Sequence, residues 1–321
     1  MPTQAPPELE AQYRALREAA GLLERSARGK LDVLGPDAAE YLQGQVTNDV
    51  QALAAGEGCY AALLTPKGRI LSDLRVLAVS AEELRLDTET VALAAVRSNL
   101  EMYKIGRRVE IADRSDERAI LSLIGPAART VAGAAPPERE HAFLEAEIAG
   151  VSVLAVATDV GVDLMLPETD RAAVAAALAD RGAVAVADEV AEIIRIESGR
   201  PRYGIDMTEE NLPGEMELEE RAVSFTKGCY VGQEPVARMH YRGHPNRHLR
   251  GLRLSAPAAA GDAVLGGDRE VGALTSYGLS PALGPIALAT IRREVEPGEQ
   301  VEVGESRVAA EVIALPFALQ S

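Results

Sequence analysis

The pattern of apolar and polar positions divides the chain into three stretches. Residues 8–20 carry Leu and Ala at helical spacing and predict an N-terminal helix. LLERSARGKLDVLG reads as a strand pair, and DAAEYLQGQ, with Pro36 just before Asp37, as a short helix. From residue 58 the period changes. GCYAALLTPKGRILSDLRVLAVSAEELRLDT predicts three antiparallel strands, broken at Pro66-Lys67-Gly68 and at the acidic turn near Glu82. TVALAAVRSNLEMYKI predicts an amphipathic helix.

The order repeats from about 107 to 200. RRVEIADRS, ERAILSLIG, HAFLEAEIAG, VSVLAVATD and VDLMLP read as strands. GPAARTVAGA opens a helix, ETDRAAVAAALADRG forms another, and a third runs through DEVAEIIRIESG to Gly199. Strands followed by a covering helix, twice, predict two related α+β halves. DMTEENLPGEMELEERAVS reads as a polar, acidic loop; VSFTKG reads as a strand and CYVGQEPVARMHY as the start of a helix. After Pro245 the helical period ends. Short runs from RHLRGLRLS to RVAAEVIALPF, separated by Gly/Pro turns, predict a small β-barrel. The expectation is class α+β, with units at 1–106, 107–245 and 246–321.

Composition narrows the picture. Apolar residues are 47% of 321, with no Trp, so the cores are aliphatic. No uninterrupted apolar run reaches about 18 residues, which predicts no membrane span. The first twenty residues lack a basic start and an apolar run, which argues against a secretory signal. Two cysteines make no disulfide framework, and cytoplasm is the expected compartment. A formal charge of −16 repels phosphate backbones, so direct nucleic-acid binding is not expected. ARMHYRGHPNRHLRGLR is the basic exception: either a solvated connector or a patch that meets an anion.

Lysine occurs four times against abundant arginine, and Lys227 stands two residues before Cys229 in TKGCYVGQE. A sulfur near a helix N-terminus and a cation favours the thiolate; the plainer account is a small buried apolar residue. Cys59, in an apolar strand, reads as buried. His240, His244 and His248 share a spacing of four, but Pro245 would break a helix carrying all three, and no metal site is expected. GEGCYA matches a dinucleotide-binding pattern but precedes a strand, so it reads as a turn. Asp73 inside RILSDLRVLAV is either an outward position on a strand or a carboxylate needing a partner. Glu197 in IRIESGRPRYGID is either a surface residue paired with arginine or a site residue.

Several segments together resemble one superfamily. LDVLGPDAAEYLQGQVTNDVQAL, TPKGRILSDLRV and IESGRPRYGIDM resemble motifs of the aminomethyltransferase-like, folate-binding superfamily, and GALTSYGLSPALGPIALATI resembles its C-terminal barrel. TKGCYVGQEPVARMHYRG resembles the signature of its YgfZ branch. The resemblance spans about Leu31 to Phe317. It implies a ring arrangement of the three units, tetrahydrofolate as ligand, and support of assembly or repair of iron–sulfur enzymes, tRNA-modifying ones included. Such client or assembly proteins would be the partners, with a transient iron–sulfur cluster. The alternative it implies is a folate-dependent one-carbon transferase, of aminomethyltransferase or demethylase type; a third is a binding scaffold without turnover. By the same resemblance Glu197 grips the pterin, whose ring N–H and exocyclic amine form a fork that a carboxylate accepts. Asp73 matches the second acid of an Asp-Asp pair, Ser72 standing at the first. Cys229 is the functional thiol, Lys227 its electrostatic partner, and Arg238, Arg242 or Lys227 would meet the folate's glutamate tail.

Overall fold

The structure, a computed structural model, describes residues 6–318, so the first five residues of the stretch read for targeting lie outside it. Two compact units emerge. One joins residues 14–186 to 219–235; the other joins residues 6–13 to 187–218 and 236–318.

The first unit holds two sheets and their helices. The second half of helix α1 (Pro7–Glu18), from Arg14 on, leads to strands β1 (Gly21–Glu24) and β2 (Gly29–Leu34) and to helix α2 (Ala38–Gln43). Strands β3 (Glu57–Leu64), β4 (Ile70–Ser80) and β5 (Glu83–Thr88) form the expected antiparallel meander, followed by α3 (Thr90–Tyr103) and β6 (Glu110–Asp113). Strand β7 (Arg118–Ile124), helix α4 (Ala128–Ala132), strands β8 (Phe143–Ile148), β9 (Val151–Thr158) and β10 (Gly161–Pro167), helix α5 (Arg171–Asp180) and the short β11 (Val184–Ala185) complete it. The sheet orders are β3-β4-β5-β2-β6 and β11-β1-β7-β10-β9-β8.

β1 and β2 are strands but not the expected pair. β1 pairs with β7 and β11, while β2 pairs with β5 and β6. The turn at Arg25–Arg28 has none of the Gly or Asn chemistry of a tight hairpin, and the chain passes there from one sheet to the other. For the same reason the sheets interleave across a division at 106/107: β1 belongs with the later strands and β6 with the earlier ones.

Alternation along β4 explains the layering. Leu77 and Val79 pack with Ile120, Phe143, Leu154, Val156 and Met165 of the second sheet. Leu74 and Val76 point the other way and are buried on the side of α2 and α3, which contact β5 and β4. The outer face of the second sheet packs Leu121, Leu123, Val162 and Leu164 against Ala128, Val131, Val174 and Leu178 of α4 and α5. The inter-sheet layer is not purely apolar. Arg75 donates to Asp87 at 2.6 Å within its own sheet and to Asp163 at 2.7 Å across the interface, and Ser122 donates to the other Asp163 oxygen at 2.6 Å. Buried charges persist when every member is paired, as here.

The second unit carries α6 (Asp188–Glu197) and a six-stranded closed barrel. Its strands are β12 (Arg247–Leu254), β13 (Ala263–Gly266), β14 (Arg269–Ser280), β15 (Gly284–Arg292), β16 (Gln300–Val303) and β17 (Val308–Ile313), in the order β12-β15-β14-β13-β16-β17. The acidic loop of 205–224 is less irregular than expected. It contains a 3₁₀ turn at Pro213–Met216 and the short helix α7 (Glu219–Ala222). Helix α8 (Gln233–Arg242) begins four residues beyond Cys229, and no strand precedes that cysteine. No described helix is long and apolar enough to cross a membrane.

Candidate functional site

Asp73 lies on β4 and is nine-tenths buried, so it is no outward strand position. Ala62 of β3 stands opposite it, and Tyr60, two residues along the same face, reaches it diagonally. The Tyr60 hydroxyl donates to Asp73 Oδ2 at 2.8 Å, while Asp73 Oδ1 is buried with no hydrogen-bond partner. Burial raises the Asp73 pKa; Arg28 and the Tyr60 hydrogen bond oppose the rise without cancelling it. Ser72 points to the opposite face and bonds Thr88 at 2.7 Å, so the residue before Asp73 is a packing hydroxyl, not a second acid.

Tyr60 is itself clamped. The Arg221 guanidinium lies 5.2 Å from its ring centroid, and Asn48 Nδ2 donates to both the Tyr60 and Arg221 carbonyls, at 2.8 and 3.1 Å. His141 stands 6.5 Å from Tyr60, centroid to centroid, in a left-handed backbone conformation (φ 67°). Both its ring nitrogens are buried without a hydrogen bond, Nε2 lying 3.5 Å from Glu140 Oε1. Burial, with Arg75 and Arg221 adding to it, brings the His141 pKa down to about 3, so the ring is neutral at pH 7.

The segment around Cys229 corrects the expected pairing. Lys227 Nζ donates to the carbonyls of Gln43, Val46 and Asn48 at 2.6, 2.7 and 2.7 Å and lies 5.2 Å from the Tyr230 ring centroid. An ammonium has three donors, and this turn supplies three inward carbonyls. Lys227 is therefore buried and committed to backbone, not presented to Cys229 or to a ligand's tail. Burial lowers its pKa to about 8, against the opposing pull of Asp49 and Cys59. Ser224 N to Thr47 O and Val231 N to Gly44 O stitch the same segment down on both sides. Cys229 itself is exposed. Cys59 is half-buried rather than fully buried as expected, and the burial it has pushes its thiol up to about 12.

Glu197 closes α6 in the other unit and is only 2% exposed, which removes the surface reading. Its Oε1 accepts the Tyr13 hydroxyl at 2.9 Å and the Ser280 hydroxyl at 2.5 Å. Gly199 ends the helix with φ 66°, where a Cβ would sit 2.7 Å from Leu315 Cβ. Arg238 and Arg242 are exposed on α8. His248 Nδ1 pairs with Glu217 at 2.8 Å, and no group of three metal-ligating side chains occurs among the described residues.

Tyr60, Arg221, His141, Tyr13 and Ser280 were not singled out from sequence. Tyr60 had a signal: a turn at 65–68 fixes the β3–β4 register and brings Tyr60 beside Asp73. The others reach their partners across more than 80 residues, or, for His141, depend on a backbone conformation without a sequence signature.

Comparison with known proteins places the chain. The GCVT N-terminal domain family matches residues 2–227, and the glycine cleavage T-protein C-terminal barrel domain matches 247–318. Proteins named aminomethyltransferase from Saccharopolyspora erythraea and Thermus thermophilus are each 30% identical, over 96% and 95% of this chain and 89% of theirs. The crystal structure of glycine cleavage system aminomethyltransferase T from Bartonella henselae shares the fold, with TM-score 0.87 and 24% identity over 99% of this chain and 91% of that one. With both of its domains matched and relatives alike along nearly its whole length, the chain belongs to the GCVT, or glycine cleavage T-protein, family.

Proposed function

We propose that the protein is a tetrahydrofolate-dependent one-carbon transferase of the aminomethyltransferase kind. One observation carries the reading: a buried carboxyl group, Asp73, with one oxygen held by Tyr60 and the other left without a partner. A buried acceptor without a partner costs about 1–3 kcal/mol, and a ligand N–H or ammonium would remove that cost. The raised pKa, caused by burial, makes this carboxylate a better proton acceptor than an exposed one. Tetrahydrofolate, when bound, supplies the nitrogen that accepts the one-carbon group. Asp73 would orient the amine of the donor or exchange its proton, with Tyr60 fixing the carboxyl rotamer. Glu197, buried and oriented by two hydroxyls, is proposed as the acceptor for the pterin's donor fork. Arg238 and Arg242 remain available for the glutamate tail, a role that the buried Lys227 does not fill. The test is product formation from tetrahydrofolate and a panel of aminomethyl donors. Their carbon already stands at the formaldehyde level, so the C–N bond to the donor breaks, the amine leaves and no oxidant is needed. Methylene-tetrahydrofolate is expected from the native protein and at least about a hundredfold less from Asp73→Asn. Binding of tetrahydrofolate without product from any donor would sink the transferase reading.

A second reading is favoured by a different observation, the exposed thiol of Cys229 on a segment pinned at Lys227 and Val231. It is the YgfZ-type role: a folate-binding protein that supports assembly or repair of iron–sulfur enzymes and holds a cluster transiently between proteins. Under this reading Cys229→Ser leaves folate binding intact and abolishes support of a cluster-dependent enzyme. Full support by that variant would remove the thiol from the mechanism.

A further inference from the structure

Helix α6 is seated on one face of β14 by three successive inward positions. Ser276 accepts Arg195 Nη2 at 2.7 Å, Gly278 lets the helix close in, and Ser280 donates to Glu197 at 2.5 Å. A Cβ on Gly278 would stand 3.2 Å from Ile196 Cδ1, so a side chain there would press on the helix. Positions 276, 278 and 280 share a face because side chains alternate along a strand, and all three are buried.

Asp206 closes the arrangement. It is fully enclosed as a side chain, and both its oxygens are used twice. Oδ1 accepts the Thr275 and Ser276 hydroxyls, each at 2.6 Å; Oδ2 accepts Arg195 Nη1 at 2.6 Å and the Arg202 backbone N–H at 2.9 Å. Two adjacent strand residues ordinarily face opposite sides. A register shift between Leu274 and Ser276 leaves Thr275 as the extra residue against β15 and turns both hydroxyls to the same carboxylate. Such bulges re-aim side chains beside functional sites. The carboxylate thereby ties together the last turns of α6, the loop that follows it and the strand whose Ser280 orients Glu197.

The geometry points to Asp206 as a positioning residue for Glu197, acting through Arg195 and the 275–280 segment of β14. This deepens the assignment of Glu197 to the pterin and rests on it. Asp206 would touch no ligand. Its effect would be to hold α6 at the depth and rotation at which the Glu197 carboxylate meets the ligand's donors, where errors of well under an ångström weaken binding.

The experiment is anaerobic calorimetric titration with tetrahydrofolate of the full chain, of Asp206→Asn, of Glu197→Gln and of the double variant. Asp206→Asn is expected to raise Kd about tenfold at unchanged stoichiometry, with circular dichroism showing the variant fully folded at the titration temperature, since a reversibly unfolded fraction would itself raise the apparent Kd. In the Glu197→Gln background the same change is expected to have no further effect, because its route runs through Glu197. An unchanged Kd in Asp206→Asn, or an equal added loss in both backgrounds, would overturn the inference while leaving the folate reading in place. Should Asp206→Asn not fold, Ser276→Ala removes a single donor to the same carboxylate. A severalfold rise in Kd there supports the inference, and none overturns it. Absence of binding by the native chain would overturn the folate reading and this inference with it.

Discussion

Tyr60 reaches across from the neighbouring strand to hold one oxygen of Asp73 at 2.8 Å and leaves the other buried and unbonded. The groups facing this pair are Arg28 and Glu89 around the carboxyl and Arg221, with His141 beyond it, around the phenol. The Tyr60 hydrogen bond lowers the Asp73 pKa against the larger upward push of burial. Tyr60→Phe removes that opposition. The acid limb of the pH–kcat/KM profile is therefore expected to move to higher pH, with activity at pH 7 falling about tenfold, as befits the loss of one hydrogen bond to a charged acceptor. An acid limb that stays in place would show that the pair does not govern turnover.

That pair also marks how far the sequence is legible. The meander β3–β4–β5, the covering helices and all six barrel strands follow from period and turn chemistry, which are local. The resemblance to family motifs pointed to Asp73 and Glu197 as candidates, and the fold buries both. What was not legible is non-local. The pairing of β1 with β7 rather than β2 is decided by the partner available about a hundred residues away. The commitment of Lys227 to three carbonyls is decided by a turn some 180 residues earlier in the chain. Charge proximity in sequence pointed to Cys229, whereas the fold offered the ammonium a cage of carbonyls.

Lys227→Met tests that commitment. It would leave three carbonyls that a long apolar chain cannot satisfy, at a cost of about 3 kcal/mol. For a unit of this size the expected fall in Tm is roughly 6–12 °C. Lys227→Arg is not expected to restore it, since a planar fork does not match three converging carbonyls. Scanning calorimetry of the two variants provides the check, and a Lys227→Met protein as stable as the native one would show the cage to be dispensable.

The two cysteines should behave differently. Cys229 is exposed, whereas burial holds Cys59 at about 12. Thiol titration of the native protein at pH 8 is expected to count one fast thiol per chain, rising to two in denaturant, and to lose the fast phase in Cys229→Ser. That substitution should change stability by no more than about 0.5 kcal/mol, as for an exposed position. Two fast thiols in the native protein would contradict the raised pKa of the half-buried Cys59.

Acid should destabilise the unit that contains His141 in two steps. The folded state keeps His141 neutral down to about pH 3, while the unfolded chain takes up its proton near 6.5. Unfolding therefore binds a proton throughout that window, and stability falls as pH falls through it. Between pH 7 and 5 the loss from this residue is on the order of 2 kcal/mol. Asp87 adds a lower step. Burial would raise it, but Arg75 and Arg28 outweigh burial and hold it at about 2, so its stabilisation is complete above about pH 4 and is lost as pH falls toward 2. His141→Asn, which tolerates the left-handed backbone, separates the two steps. Urea unfolding of this variant should show a flattened pH dependence between 7 and 5 and the native acid transition below 4. If the variant keeps the native slope between pH 7 and 5, some group other than His141 is responsible for it.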